Sequence, residues 1–285
     1  MKRKNLELSV EGGKQLAKWT LVLILFLTGS IPYSLGQCKI KNSVIRPGEE
    51  IKYDLYFHWG FVWKNAGEAV LNTYSTNYDG QSAYKMELLA TSNKSADVLF
   101  RLRDTLTCIV DTDLVPLYYR KGAEEGKRYT VDQAKYSYKN NKTYVKQRRT
   151  WKDGKVKDTE FESNDCVYDM LSILAKSRNI NPEKYNKGDR IHFPMATGRR
   201  MDNIILEFRG KQNVKTNDGT KFRCIVVGLI GKTKKNKEKD LITFYISDDD
   251  NHLPVKVDFN LNFGSAQVTL KSLNSHKYPL SSIVK

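Results

Sequence analysis

The stretch EIKYDLYFHW, Glu50 to Trp59, decides the fold. Ile51, Tyr53, Leu55 and Phe57 alternate in it with Lys52, Asp54, Tyr56 and His58. Successive side chains of an extended chain point to opposite faces, so a period of two puts one row inward and the other outward. VKVDFNLNF repeats the pattern. Val255, Val257, Phe259, Leu261 and Phe263 stand against Lys256, Asp258, Asn260 and Asn262. Asp79-Gly80, Asn140-Asn141, Asp153-Gly154 and Asp218-Gly219 fall between such runs, and these pairs favour tight hairpin turns. The pattern continues through most of the chain and predicts about fourteen strands, mostly antiparallel neighbours. Gly231 to Asp240, GKTKKNKEKD, has no apolar residue and reads as an exposed loop, as does GAEEGK, Gly122 to Lys127.

One segment breaks the rhythm. NDCVYDMLSILAKSRNINP spaces Val167, Met170, Leu171, Leu174 and Ala175 as one helical stripe. Asn164 is placed to cap it, Lys176 and Arg178 suit its last turn, and Pro182 follows as a stop. A lone helix of this length is marginal in water, so the stripe needs a sheet to lie on. The expected fold is therefore mainly β: a large antiparallel sheet or incomplete barrel with one central amphipathic helix packed on it. Two strand-rich halves, about 45–162 and 189–275, flank the helix at about 165–178 within a single domain, 37–285.

Residues 1–36 carry the layout of a secretory signal. Basic Lys2, Arg3, Lys4, Lys14 and Lys18 precede the apolar run Leu21–Leu27, and a small, polar stretch ends before Gln37. The run is too short to span a bilayer, so the mature chain is expected in the periplasm. LGQC places Cys38 where a lipoprotein would be modified, but Gln37 occupies the position that wants a small residue. An outer-membrane lipoprotein is thus the lesser alternative.

The chain is strongly basic, with 48 Lys and Arg against 32 Asp and Glu. Such an excess favours anionic partners: phosphorylated glycolipids, acidic glycans or the headgroups of an anionic membrane surface. Export argues against nucleic acid. The four cysteines, Cys38, Cys108, Cys166 and Cys224, are too widely spaced for a zinc or redox motif. In an oxidising compartment they predict at least one disulfide, with three pairings open for two.

No motif carries catalysis. The chain lacks G-x-S-x-G and H-E-x-x-H, and its histidines are scattered. SDDDNH, Ser247 to His252, has adjacent acids without the alternate spacing or glycine of a calcium loop, and reads as a hairpin tip. Glu49 with Glu50 and Glu124 with Glu125 are acid pairs only by adjacency; glycoside hydrolysis needs closeness in space. No catalytic, metal or cofactor residue is assigned. Two clusters remain as candidate ligand sites. Trp59, Phe61 and Trp63 crowd one strand junction, where aromatics can form a platform for sugars or acyl chains. Arg199 and Arg200 lie in TGRRMD, a turn where a phosphate or carboxylate could be met.

Four segments together resemble an exported bacterial family. They are RPGEEIKYDLYFHWGFVWKNAGEAVL, DTLTCIVDTDLVPLYYRKGAEEGKRYTVDQAKYSY, DCVYDMLSILAKSRNI and DLITFYISDDDNHLPVKVDFNLNFGSAQVTLKSL. The family is DUF3108, whose resemblance implies an envelope protein without an assigned activity. The closing strand, acidic turn, Leu-Pro and hairpin are also similar to periplasmic lipoprotein-carrier (LolA-like) proteins. That likeness implies an incomplete barrel around an acyl-chain cavity. Together these readings lead to a non-enzymatic binding or carrier protein for a lipid, glycolipid or envelope glycan. The alternatives are a hydrolase of envelope glycans or lipids and a structural partner of an outer-membrane assembly.

Overall fold

The computed structural model describes residues 38–59, 62–233, 235–261 and 264–285. The leader read as a signal lies outside them. Eight strands come first: β1 (Glu50–Trp59), β2 (Val62–Tyr78), β3 (Gln81–Ser92), β4 (Leu102–Asp111), β5 (Pro116–Glu125), β6 (Arg128–Lys139), β7 (Lys142–Trp151) and β8 (Val156–Ser163). After a helix follow β9 (Arg190–Ala196), β10 (Met201–Lys215), β11 (Lys221–Lys232), β12 (Glu238–Ser247), β13 (Pro254–Asn260), β14 (Ser265–Asn274) and the two-residue β15 (Ile283–Val284). All belong to one antiparallel sheet, ordered β8 to β1 and then β14 to β9, with β15 added on β11.

The period of two does what it predicted in β1, where Ile51, Tyr53 and Leu55 are buried and Lys52 is exposed. Asp79-Gly80 and Asn140-Asn141 make their turns with positive φ at both residues, the geometry that matches strand twist. Alternation overreached in β13, which stops at Asn260 and leaves Leu261 in the turn. It underreached elsewhere. Gly122–Glu125 complete β5, and half of the Gly231–Asp240 stretch pairs as the ends of β11 and β12. Ladder hydrogen bonds need only backbone, so a polar run can remain in a sheet at an exposed rim.

Because every pairing is antiparallel, alternate turns gather at opposite ends of the sheet. The odd-to-even turns, from β1–β2 through β13–β14, form the rim. The even-to-odd turns form the base, where SDDDNH is indeed the β12–β13 connection.

The curled sheet nearly closes on itself, but its edges β8 and β9 do not share a ladder. The chain leaving β8 bridges them instead. Tyr168 pairs in parallel with Met195, its amide donating to Pro194 at 3.1 Å while its carbonyl accepts from Ala196 at 2.8 Å. Rimward, the Gly198 amide donates to the Gln147 carboxamide oxygen at 2.6 Å. Gly198 sits at φ +85°, and a Cβ there would come within 2.3 Å of the Asp132 Cβ. Only glycine lets the β9–β10 turn enter the barrel this closely. Gly198→Ala is expected to loosen this seam and cost about 2 kcal/mol or more, read from urea unfolding.

The helix runs over Met170–Arg178, shorter than the expected 165–178, and Asp169 caps it in place of Asn164. Asp169 Oδ1 accepts from the amides of Leu171 and Ser172, at 3.0 and 2.9 Å. Residues before it stay extended because Tyr168 is engaged at the seam. The small helix α1, Lys94–Asp97, precedes it in the chain, so the central helix is α2. One apolar stripe on a sheet was expected, yet α2 is buried on two sides. Leu171 and Ala175 join a core with Ile51, Leu106 and Val110; Ile173 joins another with Phe193, Leu206 and Phe244. A sheet that curls around a helix offers it walls on both sides. Each large apolar side chain so enclosed contributes about 1.5–3 kcal/mol.

Candidate functional site

The inside of the barrel is occupied. Asp169 is fully buried, and its Oδ2 accepts from the Tyr136 hydroxyl at 3.4 Å and the Cys108 thiol at 3.6 Å. Burial pushes the Asp169 carboxyl above the ordinary aspartate range, while the helix amides pull it partly back. At the other end of α2, Arg178 clamps Glu49 through two bonds of 2.7 and 2.8 Å. Its guanidinium also reaches the carbonyls of His252 and Asn251. The cavity beside this end, lined by Ser177, Ile180 and Phe208 among others, has about 10 Å³, room for one water. No acyl chain fits there.

A larger space opens on the outer side of β9 and β10, a cleft of about 330 Å³. Register builds it: Pro194 lies opposite Asn203, and His192 opposite Ile205. Pro194 and Ile205 supply an apolar floor, and Asp165, His192, Asn203, Lys232 and Glu238 supply polar walls. Arg190 fixes the wall by bonding Glu207 at 2.7 Å and Glu238 at 3.1 Å, which ties the start of β12 to β9. The Thr197–Arg200 turn stands three residues from Asn203, roughly 10 Å along the strand. Arg199 and Arg200 are not among the residues that line the cleft, and their turn lies against Asp132, Gln147 and Thr159. Both arginines are exposed, and Arg200 pairs with Asp202 at 2.8 Å.

The aromatic candidates fall elsewhere. Trp59 ends β1 and Trp63 lies near the start of β2, with His58 paired to Trp63, while Phe61 lies outside the described residues. Five strands separate β1 from β9, so the sheet does not bring the aromatics and the arginines into one site. His192, Asn203 and Lys232 were missed as site residues because only strand register gathers them; nothing local marks them.

The acid pairs resolve into ion pairs. Glu49 holds Arg178, Glu50 holds Lys52, Glu124 holds Arg101 and Glu125 holds Lys121. Asp104, Asp111 and Asp169 are the aspartates that burial raises, and none lines the cleft. Asp104 faces Lys121 at 3.1 Å, and Asp111 accepts the amides of Asp113 and Val115. These are structural carboxylates, each tied to its own neighbours. The same holds for Asp249, which gathers Ser247, Asn251 and Ser282 at the base. Lys176 donates to the Tyr168 hydroxyl at 2.8 Å and lies over its ring, and burial brings its amine down to about 8. No cluster of three His, Cys, Asp or Glu suited to a metal occurs among the described residues.

Cys38 and Cys166 form a disulfide, while Cys108 and Cys224 are buried free thiols. The expectation of at least one disulfide is met by this single bridge. Cys108 and Cys224 belong to the same core cluster, on β4 and β11, where each fills space as a small buried side chain.

Residues 52–271 match the family described as a protein of unknown function, DUF3108. The chain belongs to the DUF3108 family. No curated protein matches it. Among solved structures it is similar to a β-barrel-like DUF1849 protein from Brucella abortus. That likeness has 12% identity and a TM-score of 0.53, and covers 80% of this chain and 98% of that one. It supports the barrel-like fold and nothing further. A protein described as exported, with a YmcC-like fold, from Bacteroides fragilis is more distant. Its TM-score is 0.35 at 11% identity, covering 84% of this chain and all of that one. For this DUF3108 protein the disulfide fits export, since such bonds persist in oxidising compartments. A sulfur in a disulfide also cannot carry a lipid thioether, which weighs against lipidation at Cys38.

Proposed function

We propose that this DUF3108 protein is a non-enzymatic binding protein of the periplasm. Its ligand is an amphiphile of the cell envelope with an anionic head, a lipid or glycolipid. The observation that carries the reading is the outer cleft, with its apolar floor of Pro194 and Ile205 beside His192, Asn203 and Lys232. Apolar surface flanked by a few placed polar groups is how small-ligand sites combine affinity with orientation. The filled interior argues for a ligand laid along the outside of the barrel, unlike the sealed acyl chamber of a carrier.

Native mass spectrometry of the protein, purified from its own envelope without detergent, tests this. A reproducible extra mass in the lipid range is expected, and it should fall at least tenfold in occupancy in Ile205→Glu. His192→Trp, which fills the cleft from an exposed position, should do the same without touching the core. Bare protein in all three forms would sink the proposal, as would an adduct that both variants retain.

A further inference from the structure

Val98, Leu99 and Phe100 follow one another at the rim, 84, 64 and 55% exposed. Three large apolar side chains in a row are not what an exposed turn selects, and a contiguous apolar patch usually marks a contact surface. The segment is also held rigidly. Asn93 caps α1 through Ala96, the amides of Leu99 and Phe100 bond back to Ala96, and Arg103 clamps Asp97. The apolar tip is thus presented on a built platform.

The patch continues along the rim. Phe100 lies against Gly126 of the β5–β6 turn, next to Tyr129. Thr130 pairs with Trp151, which with Val156 flanks the β7–β8 turn, and Leu261 is exposed in the β13–β14 turn. Of the large apolar side chains exposed among the described residues, only Tyr74, Leu89 and Ile283 lie elsewhere.

Cations surround this patch. Lys64, Lys94, Lys127, Arg128 and Lys152 are exposed on these rim turns, and none has a carboxylate partner among the described residues. The β9–β10 and β11–β12 turns add Arg199, Lys235 and Lys237. The base turns carry both signs: Asp79, Asp218 and the Asp248–Asp250 run stand among Lys139, Lys142, Lys215 and Lys221, and Asp113 and Asp248 are ion-paired with Lys39, Lys211 and Arg223. What sets the rim apart is that its cations surround exposed large apolar side chains.

From this we infer that the rim docks on an anionic lipid bilayer, with Val98, Leu99 and Phe100 entering the headgroup boundary and the surrounding lysines and arginines meeting lipid phosphates. Apolar insertion combined with cationic attraction is how surface-bound proteins reach a membrane without spanning it, and the exposed apolar tip fixes which end faces the lipid. This reading is independent of the cleft and of what the cleft holds.

Flotation of the purified protein with vesicles tests it. Binding to phosphatidylglycerol-containing vesicles is expected at least tenfold above binding to phosphatidylcholine vesicles, and it should weaken steeply between 0.1 and 1 M salt as screening shortens. The variant Val98→Ser, Leu99→Ser, Phe100→Ser should lose tenfold or more of this binding, and Lys127→Glu with Arg128→Glu should lose a similar factor at low salt. Ile283→Ser, away from the rim, should bind as the unaltered protein does. All these positions are exposed, so unchanged circular dichroism and thermal midpoint would show that folding is intact. No vesicle binding, or binding that both rim variants keep, overturns the inference. So does a stable complex with a second copy that the triple variant dissolves while vesicle binding stays unchanged, which would make the rim a protein interface.

Discussion

Arg178→Ala should lower the unfolding free energy by roughly 3–5 kcal/mol, the range for removing one partner of a buried ion pair. Arg178 is 2% exposed and Glu49 4%, so water cannot replace the missing guanidinium. Truncation leaves a carboxylate enclosed without its counter-charge and also frees the carbonyls of His252 and Asn251. The pair joins three distant parts of the chain: the segment leading into β1, the end of α2 and the β12–β13 turn. His252 closes the circuit from the other side, with Nδ1 at 2.6 Å from the Arg178 carbonyl. Urea unfolding measures the loss as a lower midpoint. Replacing both charges together, Glu49→Leu with Arg178→Met, should recover most of it, because two apolar side chains need no counter-charge. A single variant that unfolds within about 1 kcal/mol of the unaltered protein would show that water reaches the pair.

How far the sequence reveals this molecule depends on the range of the interaction involved. Strand identity is local: Ile51, Tyr53 and Leu55 announce β1 through a period of two, and Asn140-Asn141 announces its turn through backbone conformation. Helix α2 was legible as an apolar run, yet its start was displaced by five residues. Asn164 and Asp169 are both competent caps, and the choice between them is made by Tyr168, which the seam with Met195 holds in an extended conformation. Closure of the sheet is long-range. It rests on Gly198 meeting Asp132 and Gln147, residues that no spacing rule connects. The same limit hid the cleft, whose lining is drawn from the seam and from β9 to β12 by register. Arg199 and Arg200 stood out because a charged turn reads locally, yet they lie outside the cleft's lining, whereas the place of His192 in it depends on register. Composition could give the excess of positive charge. Which of those cations stand beside exposed apolar side chains emerges only once the strands are ordered and alternate turns fall on opposite sides.

Removing the Cys38–Cys166 bridge should destabilise the protein by about 2–5 kcal/mol, toward the upper end if the loop-entropy account holds. The bridge closes 128 residues of sequence, a long loop whose closure restricts the unfolded chain strongly. In the native state it anchors the chain before β1 to the segment that crosses from β8 to the seam, two places with little pairing of their own. Cys38→Ser with Cys166→Ser should therefore show a lower urea midpoint, and proteolysis should open first near the seam. The other thiols provide an internal check. Burial pushes the Cys108 thiol up and the Cys224 thiol up to about 12, so neither presents a reactive thiolate at neutral pH. Iodoacetamide should leave the native protein unlabelled, add two groups after denaturation, and add four when a reductant is included. Three labels on the denatured, unreduced chain would mean that Cys166 is free and Cys38 otherwise occupied, which is the pattern a lipid on Cys38 would produce.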